Sequence, residues 1–369
     1  MEYTRAKLEF EECATSAPRP IGQAHRRARS PRWDAVLRSM RNSKLRNTAV
    51  FLGLGLALAL GLQAILLRGL GRYSGGNVGI LNKVMRGEVH ASLVISGSSR
   101  AAYHYDPRII GGETGLSSFN LGRDGTKLHE QLDLLQMYLR RNPKPACVVQ
   151  NLDVMSLQGN EDVTDPKQYL SWLSDDEIYQ PLRKQKRHFL VYRWLPIVGL
   201  AREGGMSAAV EGWLLPHAAE HDALRGYCPQ DLTWNQDFDR FKALHPSGLK
   251  LGIDARKEAL LGQLIELCQT NQIKIVLVYS PDYLESRAFF QDRDEVLQDF
   301  KRIAEHYHVP LWDFSGELMC ADRKFFYNSQ HLNRSGASAF SKTLGERLRT
   351  ELAGLADISG QRAAIGAGQ

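Results

Sequence analysis

The sequence predicts an α/β fold: a three-layer α/β/α domain on a parallel sheet, preceded by one transmembrane helix. Two observations carry this prediction. From residue 88 onward, short and almost continuously apolar runs alternate with amphipathic helices, a pattern typical of strands buried on both faces. Upstream, residues 47–67 are twenty-one residues without a charge, about the length that crosses a bilayer core of roughly 30 Å.

Five runs in the outer domain are predicted strands, and apolar residues at helical spacing predict the helices between them. The strands are 91–96, 117–121, 146–150, 273–279 and 309–313. The helices are centred on 128–139, 260–268 and 296–307, with a last helix after His331. Because ligands of such sheets bind beyond the carboxyl ends of the strands, functional residues are expected in the loops that follow them.

The chain divides into five predicted segments. They are a disordered basic cytoplasmic tail (1–46), the transmembrane helix (47–67), a juxtamembrane linker (68–87), the outer domain (88–355) and a disordered tail (356–369). The outer domain carries an insertion at 155–250 that is rich in Trp, Tyr, Arg and Pro. Three roles remain open for the insertion: a cap over the substrate, a platform at the membrane surface, or a helical elaboration that only packs.

The net charge of +6 arises from the first 46 residues, which carry eleven Lys/Arg and five Asp/Glu. The rest of the chain is neutral, so nucleic acid is not an expected partner. Nine basic residues and one acid lie within 19–46, against four basic residues in the twenty that follow the span. By the positive-inside rule the N-terminus is cytoplasmic, and the outer domain lies outside the plasma membrane. A cleaved signal peptide fits poorly, because 46 residues are too long for its charged region.

Small residues recur every fourth position in the span, at Gly53, Ala57 and Gly61. This spacing lets two membrane helices approach closely, although Gly and Ala are common in such helices without any specific contact. The five cysteines show no C-x-x-C spacing, which argues against a zinc site and a dense disulfide framework. We expect no metal and no cofactor.

Two short patterns, one at each end of the outer domain, contain residues suited to acyl-transfer chemistry. Ser99 follows the first predicted strand in the run Gly97-Ser-Ser-Arg100, where a turn can present a nucleophile and an oxyanion donor together. His331 precedes the last helix, where it can act as general base, with Asn328 three residues earlier to orient it.

Together these patterns resemble the SGNH/GDSL hydrolase-like superfamily, over about residues 90–355. The resemblance is to its membrane-anchored branch in cell-envelope polymer acylation, which includes the D-alanine transfer protein of lipoteichoic acid synthesis and periplasmic alginate O-acetylation proteins. It implies that Ser99 is the nucleophile and that Ser98 replaces the usual Asp. It also implies oxyanion donors at the N–H groups of Ser99 and Gly125, with the Asn151 side chain as a third candidate.

The last block departs from the family pattern, since Asn328 stands where the family has an aspartate. An asparagine can orient the imidazole but cannot offset its positive charge. Three interpretations follow: a Ser-His dyad, replacement of the acid by Asp322 or Asp313, or loss of catalysis with retention of binding. Arg100 either holds a sugar carboxylate or phosphate, or fixes the turn by a salt bridge.

The resemblance implies an O-acyltransferase, or an acylation accessory protein, that modifies an extracellular or cell-envelope polysaccharide through a serine acyl-enzyme. The expected location is the bacterial inner membrane, single-pass, with the main domain periplasmic or extracellular. The implied partners are the polysaccharide acceptor and a membrane-bound O-acyltransferase that supplies the acyl group. The alternatives are a carbohydrate esterase of the same fold and a non-catalytic glycan-binding or assembly factor.

Overall fold

A computed structural model describes residues 43–215 and 223–366 of the 369-residue chain. Residues 1–42 of the predicted cytoplasmic tail lie outside the described part of the chain. From Ser43 the chain is helical, so the first helix begins four residues before the predicted span.

Five parallel strands form one sheet in the order β2-β1-β3-β4-β5, the order of flavodoxin-like doubly wound folds. This confirms the predicted fold class. The strands are β1 (Leu93–Ser96), β2 (Ser118–Asn120), β3 (Cys147–Leu152), β4 (Lys274–Tyr279) and β5 (Leu311–Asp313). Each lies within or next to its predicted run. Because the chain crosses from one side of β1 to the other between β2 and β3, the topological switch point lies between the ends of β1 and β3.

Helices cover both faces of the sheet. They are α1 (Ser43–Leu70), α2 (Gly76–Met85), α3 (Ser99–His104), α4 (Pro107–Thr114), α5 (Leu128–Arg141), α6 (Asp176–Gln185), α7 (Phe189–Trp194), α8 (Pro196–Arg202), α9 (Met206–Leu214), α10 (Asp237–Leu244), α11 (Ala255–Thr270), α12 (Leu284–Arg287), α13 (Arg293–His306) and α14 (Arg334–Gly366). Neighbouring strand residues such as Val94 and Ile95 belong to different apolar clusters, because successive side chains of a strand point to opposite faces.

Helix α1 is long and apolar enough to cross a membrane between Leu45 and Leu70, with a mean hydropathy of 2.4. Among the described residues it is the one helix with these properties, and its length and composition suit a membrane span or a signal sequence. Its last turns are part of the folded domain, since Leu66 and Leu70 are buried in the apolar core.

The segment 68–87, predicted as a linker, is instead part of the domain core. It contains α2, whose Val78, Leu81 and Val84 are buried. The Asn82 side-chain amide, also buried, donates to the carbonyl oxygen of Leu70 at 2.8 Å, which fixes α2 against the end of α1. The structured domain therefore begins about twenty residues earlier than the sequence indicated.

The described parts of the insertion, 155–215 and 223–250, contain helices and contribute to the core at two places. Its first part, α6 to α9, buries Phe189, Tyr192 and Leu200 in the cluster that also contains the end of α1. Its second part runs beside the loop that carries His331, where the Asn235 N–H donates to the Tyr327 carbonyl at 3.1 Å.

The carboxyl-terminal helix also departs from the prediction. A disordered tail was expected at 356–369, yet α14 continues to Gly366, and residues 367–369 lie outside the described part of the chain.

The turn after β1 depends on a glycine. Gly97 has φ +151°, and a Cβ there would lie 2.8 Å from the Ala101 Cβ and 2.9 Å from the Asn151 Cβ. We therefore expect Gly97→Ala to lower the free energy of unfolding by about 1–3 kcal/mol. The measurement is a urea titration of the detergent-solubilised full chain, followed by tryptophan fluorescence.

Gly112→Ala is the matched control, because Gly112 lies inside α4 with nothing within 4 Å of an added Cβ. A methyl group there should leave stability unchanged or raise it by up to about 1 kcal/mol. Equal urea midpoints for the two variants would contradict the strain at Gly97.

Candidate active site

The structure brings Ser99 and His331 together at the carboxyl edge of the sheet. Their side chains lie in hydrogen-bond contact, with 2.9 Å between Ser99 Oγ and His331 Nε2, although 232 residues separate them along the chain. Ser99 is the first residue of α3, directly beyond the turn that ends β1, so its N–H has no acceptor within the helix. His331 lies on the loop that leads into α14.

Asn328 fixes the tautomer of His331. Its Oδ1 accepts from the backbone N–H groups of Gln330 at 3.0 Å and His331 at 2.9 Å, and it lies 3.1 Å from His331 Nδ1. Two backbone donors identify this atom as the oxygen, because an amide nitrogen could not accept from them. The proton of the neutral imidazole is therefore on Nδ1, and Nε2 presents its lone pair to the Ser99 hydroxyl.

Two tyrosines enclose the imidazole of His331. The Tyr327 ring is stacked on it at a centroid distance of 5.4 Å and 8° between planes, and the Tyr103 ring meets it edge-on at 5.5 Å. Burial, followed by the positive charge of Arg100, lowers the pKa of His331 to about 3. At neutral pH the imidazole is uncharged, as a general base must be, but it holds a proton weakly.

Neither aspartate suggested as a replacement acid contacts His331. The Asp322 carboxylate caps a short 3-10 helix and pairs with Lys324 at 2.7 Å. Asp313 is exposed and accepts from the N–H of Ser315 at 2.8 Å. Of the three residues considered, Asn328 is the one whose side chain contacts the His331 imidazole.

Arg100 faces the protein rather than solvent. Its guanidinium is 3% exposed, donates to the carbonyl oxygens of Ser280 and Pro281 and lies over the Tyr279 ring at 4.7 Å. These contacts favour the interpretation that Arg100 fixes the turn over the one in which it binds a substrate anion. The partners are mainly carbonyl oxygens after β4, not the carboxylate of a salt bridge.

Asn151 does not reach the cavity beside Ser99. It lies in β3, 1% exposed, and its Oδ1 accepts from the Tyr105 hydroxyl at 2.7 Å. Its side-chain nitrogen has no hydrogen-bond partner among the described residues. Asn151 is buried because successive side chains of a strand point to opposite faces of the sheet. It therefore shares a face with Val149, below the turn. The residue that reaches the edge is Asp153, whose Oδ2 accepts from Ser98 Oγ at 2.8 Å.

Ser99 opens onto a cavity of about 80 Å³, enough for an acetyl group or several water molecules. Gly125 lies on its wall with φ +73°, and its carbonyl accepts from the Thr164 hydroxyl at 2.9 Å. The wall also carries charged and amide side chains that the sequence did not single out. They are Lys127, Gln131, Asp153, Gln158, Lys257 and Gln330.

Lys257 is the least expected residue of this wall. It is 1% exposed, and its Nζ lies 3.4 Å from His129 Nδ1. Burial lowers the pKa of Lys257. It lies in the first turn of α11, far from both motifs, so no sequence pattern could have placed it here. Tyr103 could have been found, because its position four residues after Ser99 puts the two on one face of α3.

Comparisons with known proteins add the following. No family model matches the chain, and no curated protein matches it significantly. Among solved structures, it is similar to a protein from Bacteroides fragilis described as an acylhydrolase, at 10% identity and a TM-score of 0.35, over 70% of this chain and 86% of that one. A second is a GDSL-like lipase from Bacteroides thetaiotaomicron, at 12% identity and a TM-score of 0.31, over 69% and 88%. Similarity at this level carries no argument about activity.

The low pKa of His331 predicts an unusual pH profile. Because the neutral imidazole is the base, the rate of Ser99 acylation should stay constant from about pH 8 down to about pH 5. In Asn328→Asp, a carboxylate beside Nδ1 favours the imidazolium, which raises the pKa of His331 and moves the acid limb to higher pH. The measurement is the rate of p-nitrophenol release from p-nitrophenyl acetate across this range.

Asn328→Asp should also raise the rate at neutral pH. Loss of a triad carboxylate costs up to about 10⁴-fold when the wrong tautomer is held. Here the tautomer is already correct, so the gain should be smaller than that. A wild-type rate that falls with an apparent pKa of about 6.5, the ordinary value for histidine, would contradict the buried, uncharged base.

Proposed function

We propose that this chain is a serine-dependent acyl-transfer enzyme of the SGNH type, with Ser99 as nucleophile and His331 as general base. One observation carries the proposal: the hydrogen-bonded series Ser99, His331 and Asn328, in which the tautomer leaves Nε2 free to accept the serine proton. The site lies at the switch point of the sheet, where doubly wound folds bind ligands.

In the proposed reaction, Ser99 Oγ attacks the acyl carbonyl while its proton passes to His331 Nε2. The N–H groups of Ser99 and Gly125 are the proposed donors to the oxyanion. The intermediate collapses as the bond to the leaving group breaks and His331 returns the proton to that group. A hydroxyl of the acceptor then attacks the acyl-enzyme, gives its proton to His331 and releases Ser99, which recovers that proton.

The proposed acceptor is an extracellular or cell-envelope polysaccharide, and the proposed location is the bacterial inner membrane with the N-terminus cytoplasmic. The charge difference across the span supports this orientation. Burial of Leu66 and Leu70 supports a retained anchor, because cleavage of a leader would remove both from the domain core. The resemblance to envelope-acylation proteins supports the polysaccharide.

A second candidate is a non-catalytic glycan-binding or assembly factor. The specific observation that favours it is Asn328, which leaves the imidazolium of His331 without a carboxylate in a site where burial and Arg100 already disfavour its charge. Weak catalysis and no catalysis differ in one measurable product, the acyl-enzyme.

The direct test is intact-mass detection of the acyl adduct. We expect the purified full chain, mixed with p-nitrophenyl acetate, to gain one acetyl group at Ser99, and Ser99→Ala to gain none. Ser98→Ala is the matched control, because Ser98 is adjacent but bonds to Asp153 instead of His331. No adduct on folded wild type or on Asn328→Asp would support the binding factor instead.

The second half-reaction distinguishes an acyltransferase from an esterase. Acyl-enzyme that is discharged onto an acetyl-free polysaccharide faster than into water identifies a transferase. Discharge into water at the same rate with and without glycan identifies the esterase.

The partner proposal concerns the small residues of α1. An added Cβ at Gly53 or Gly61 meets nothing within 4 Å, so larger side chains fit without disturbing the chain itself. We expect Gly53→Leu, Ala57→Leu and Gly61→Leu together to abolish co-purification with a membrane-bound O-acyltransferase. Leu54→Ala and Leu58→Ala, on other positions of the helix, should retain it. Unchanged recovery of the partner with the leucine variant would exclude this face as the contact.

A further inference from the structure

The insertion presents a broad apolar surface to solvent beside the end of α1. In the stretch 189–215, ten large apolar side chains are 40% or more exposed, among them Trp194 and Leu214 at 71% each. Arg202 is the one charged residue of this stretch that is mostly exposed, whereas Arg193, Glu203 and Glu211 are partly buried. We call the exposed side chains of α7, α8 and α9 the apolar platform. Large exposed apolar patches mark binding surfaces.

Helix α9 is apolar on two faces. The exposed face carries large side chains, and the buried face carries small ones. Met206, Val210, Trp213 and Leu214 recur at helical spacing on the exposed face. On the buried face Ala208, Ala209 and Gly212 lie against the end of α1. The small residues therefore bring α9 close to α1, while Met206, Val210 and Leu214 expose 40–71% of their surface to solvent.

At the contact between α9 and α1, the backbones of the two helices lie close together. A Cβ on Gly69 would overlap the carbonyl oxygen of Ala209, and one on Gly212 would overlap the carbonyl oxygen of Gly69. The Trp213 indole N–H donates to the Ile65 carbonyl at 2.8 Å. In α8, the Ile197 N–H donates to Gln63 Oε1 at 3.3 Å. The platform is thus fixed to residues 63–69 of the apolar helix.

These residues are where α1 would leave a bilayer. An uncharged stretch from residue 47 to 67 rises about 31 Å as a helix, which matches a hydrocarbon core of roughly 30 Å. Leu62 and Ile65 are about half exposed, so the apolar surface of α1 continues into the platform. The Arg72 guanidinium lies 3.9 Å above the Trp213 ring. Tryptophan is enriched at both membrane–water interfaces, and an arginine there can extend its charged end into water.

We propose that the apolar platform lies in the outer leaflet of the bilayer that α1 crosses. The low density of exposed charge and the continuity with α1 favour lipid as the occupant over a second protein. The inference rests on the membrane span of α1 but not on acyl transfer. It assigns the insertion a function: it fixes the height and tilt of the catalytic domain above the membrane surface.

The test uses the full chain in liposomes, with single bimane-labelled cysteines in a Cys13→Ser, Cys228→Ser background. We expect doxyl-labelled phosphatidylcholine to quench bimane at Leu214→Cys and Val198→Cys by at least about twofold relative to unlabelled lipid. Leu244→Cys is the matched control, since Leu244 is an equally large apolar residue, 76% exposed, on α10. It should show no quenching. Leu58→Cys, within α1, reports the span itself.

Three results would overturn the proposal. Quenching at Leu58 but not at Leu214 and Val198 would place the platform in water. No quenching at Leu58 would remove the membrane span and the platform together. Shielding of Leu214 from water that appears only at high protein-to-lipid ratio, without lipid quenching, would identify a second copy of the chain as the occupant. None of these results depends on Ser99, so acyl-enzyme formation can fail or succeed separately.

Discussion

The buried guanidinium of Arg100 connects the elements that carry the site. It joins α3 to the end of β4 through the carbonyls of Ser280 and Pro281, and its Nε donates to Ser280 Oγ at 3.2 Å. His104, one turn further along α3, lies 3.0 Å from the same hydroxyl through Nδ1, while its Nε2 accepts from the Leu332 N–H at 3.1 Å. Ser99 and the loop that carries His331 are therefore held by one buried network, in which burial lowers the pKa of His104 and keeps it neutral.

The same network determines the protonation state of His331. A buried cation near His331 disfavours the imidazolium, and Asn328 supplies orientation without charge. Geometry and electrostatics therefore act in opposite directions. Ser99 Oγ and His331 Nε2 are aligned for proton transfer, but the protonated form of His331 is unfavourable in free energy. Such a site suits an acyl group that arrives activated, because a good leaving group needs little help from a strong acid or base.

The sequence was sufficient for features encoded over a few residues. Strand runs, and the Ser99 and Asn328-x-x-His331 motifs, follow from local apolar patterns and from the rule that ligands bind beyond strand ends. Helix α2 was missed because Gly76, Gly79 and two asparagines give it low propensity, and packing on α1 stabilises it instead. The sequence could not predict that Lys257 lies at the cavity or that Asn151 is buried, because both depend on which face of a distant element meets the edge of β1.

The separation of Ser99 from His331 has a consequence for biogenesis. One lies beyond the first strand and the other after the fifth, so the pair can meet only when β5 and the start of α14 are in place. Contacts between such distant parts of a chain form late and slowly. Until then, Ser99 is an ordinary alcohol with no imidazole beside it. The Ser99–His331 pair is therefore a property of the folded chain alone.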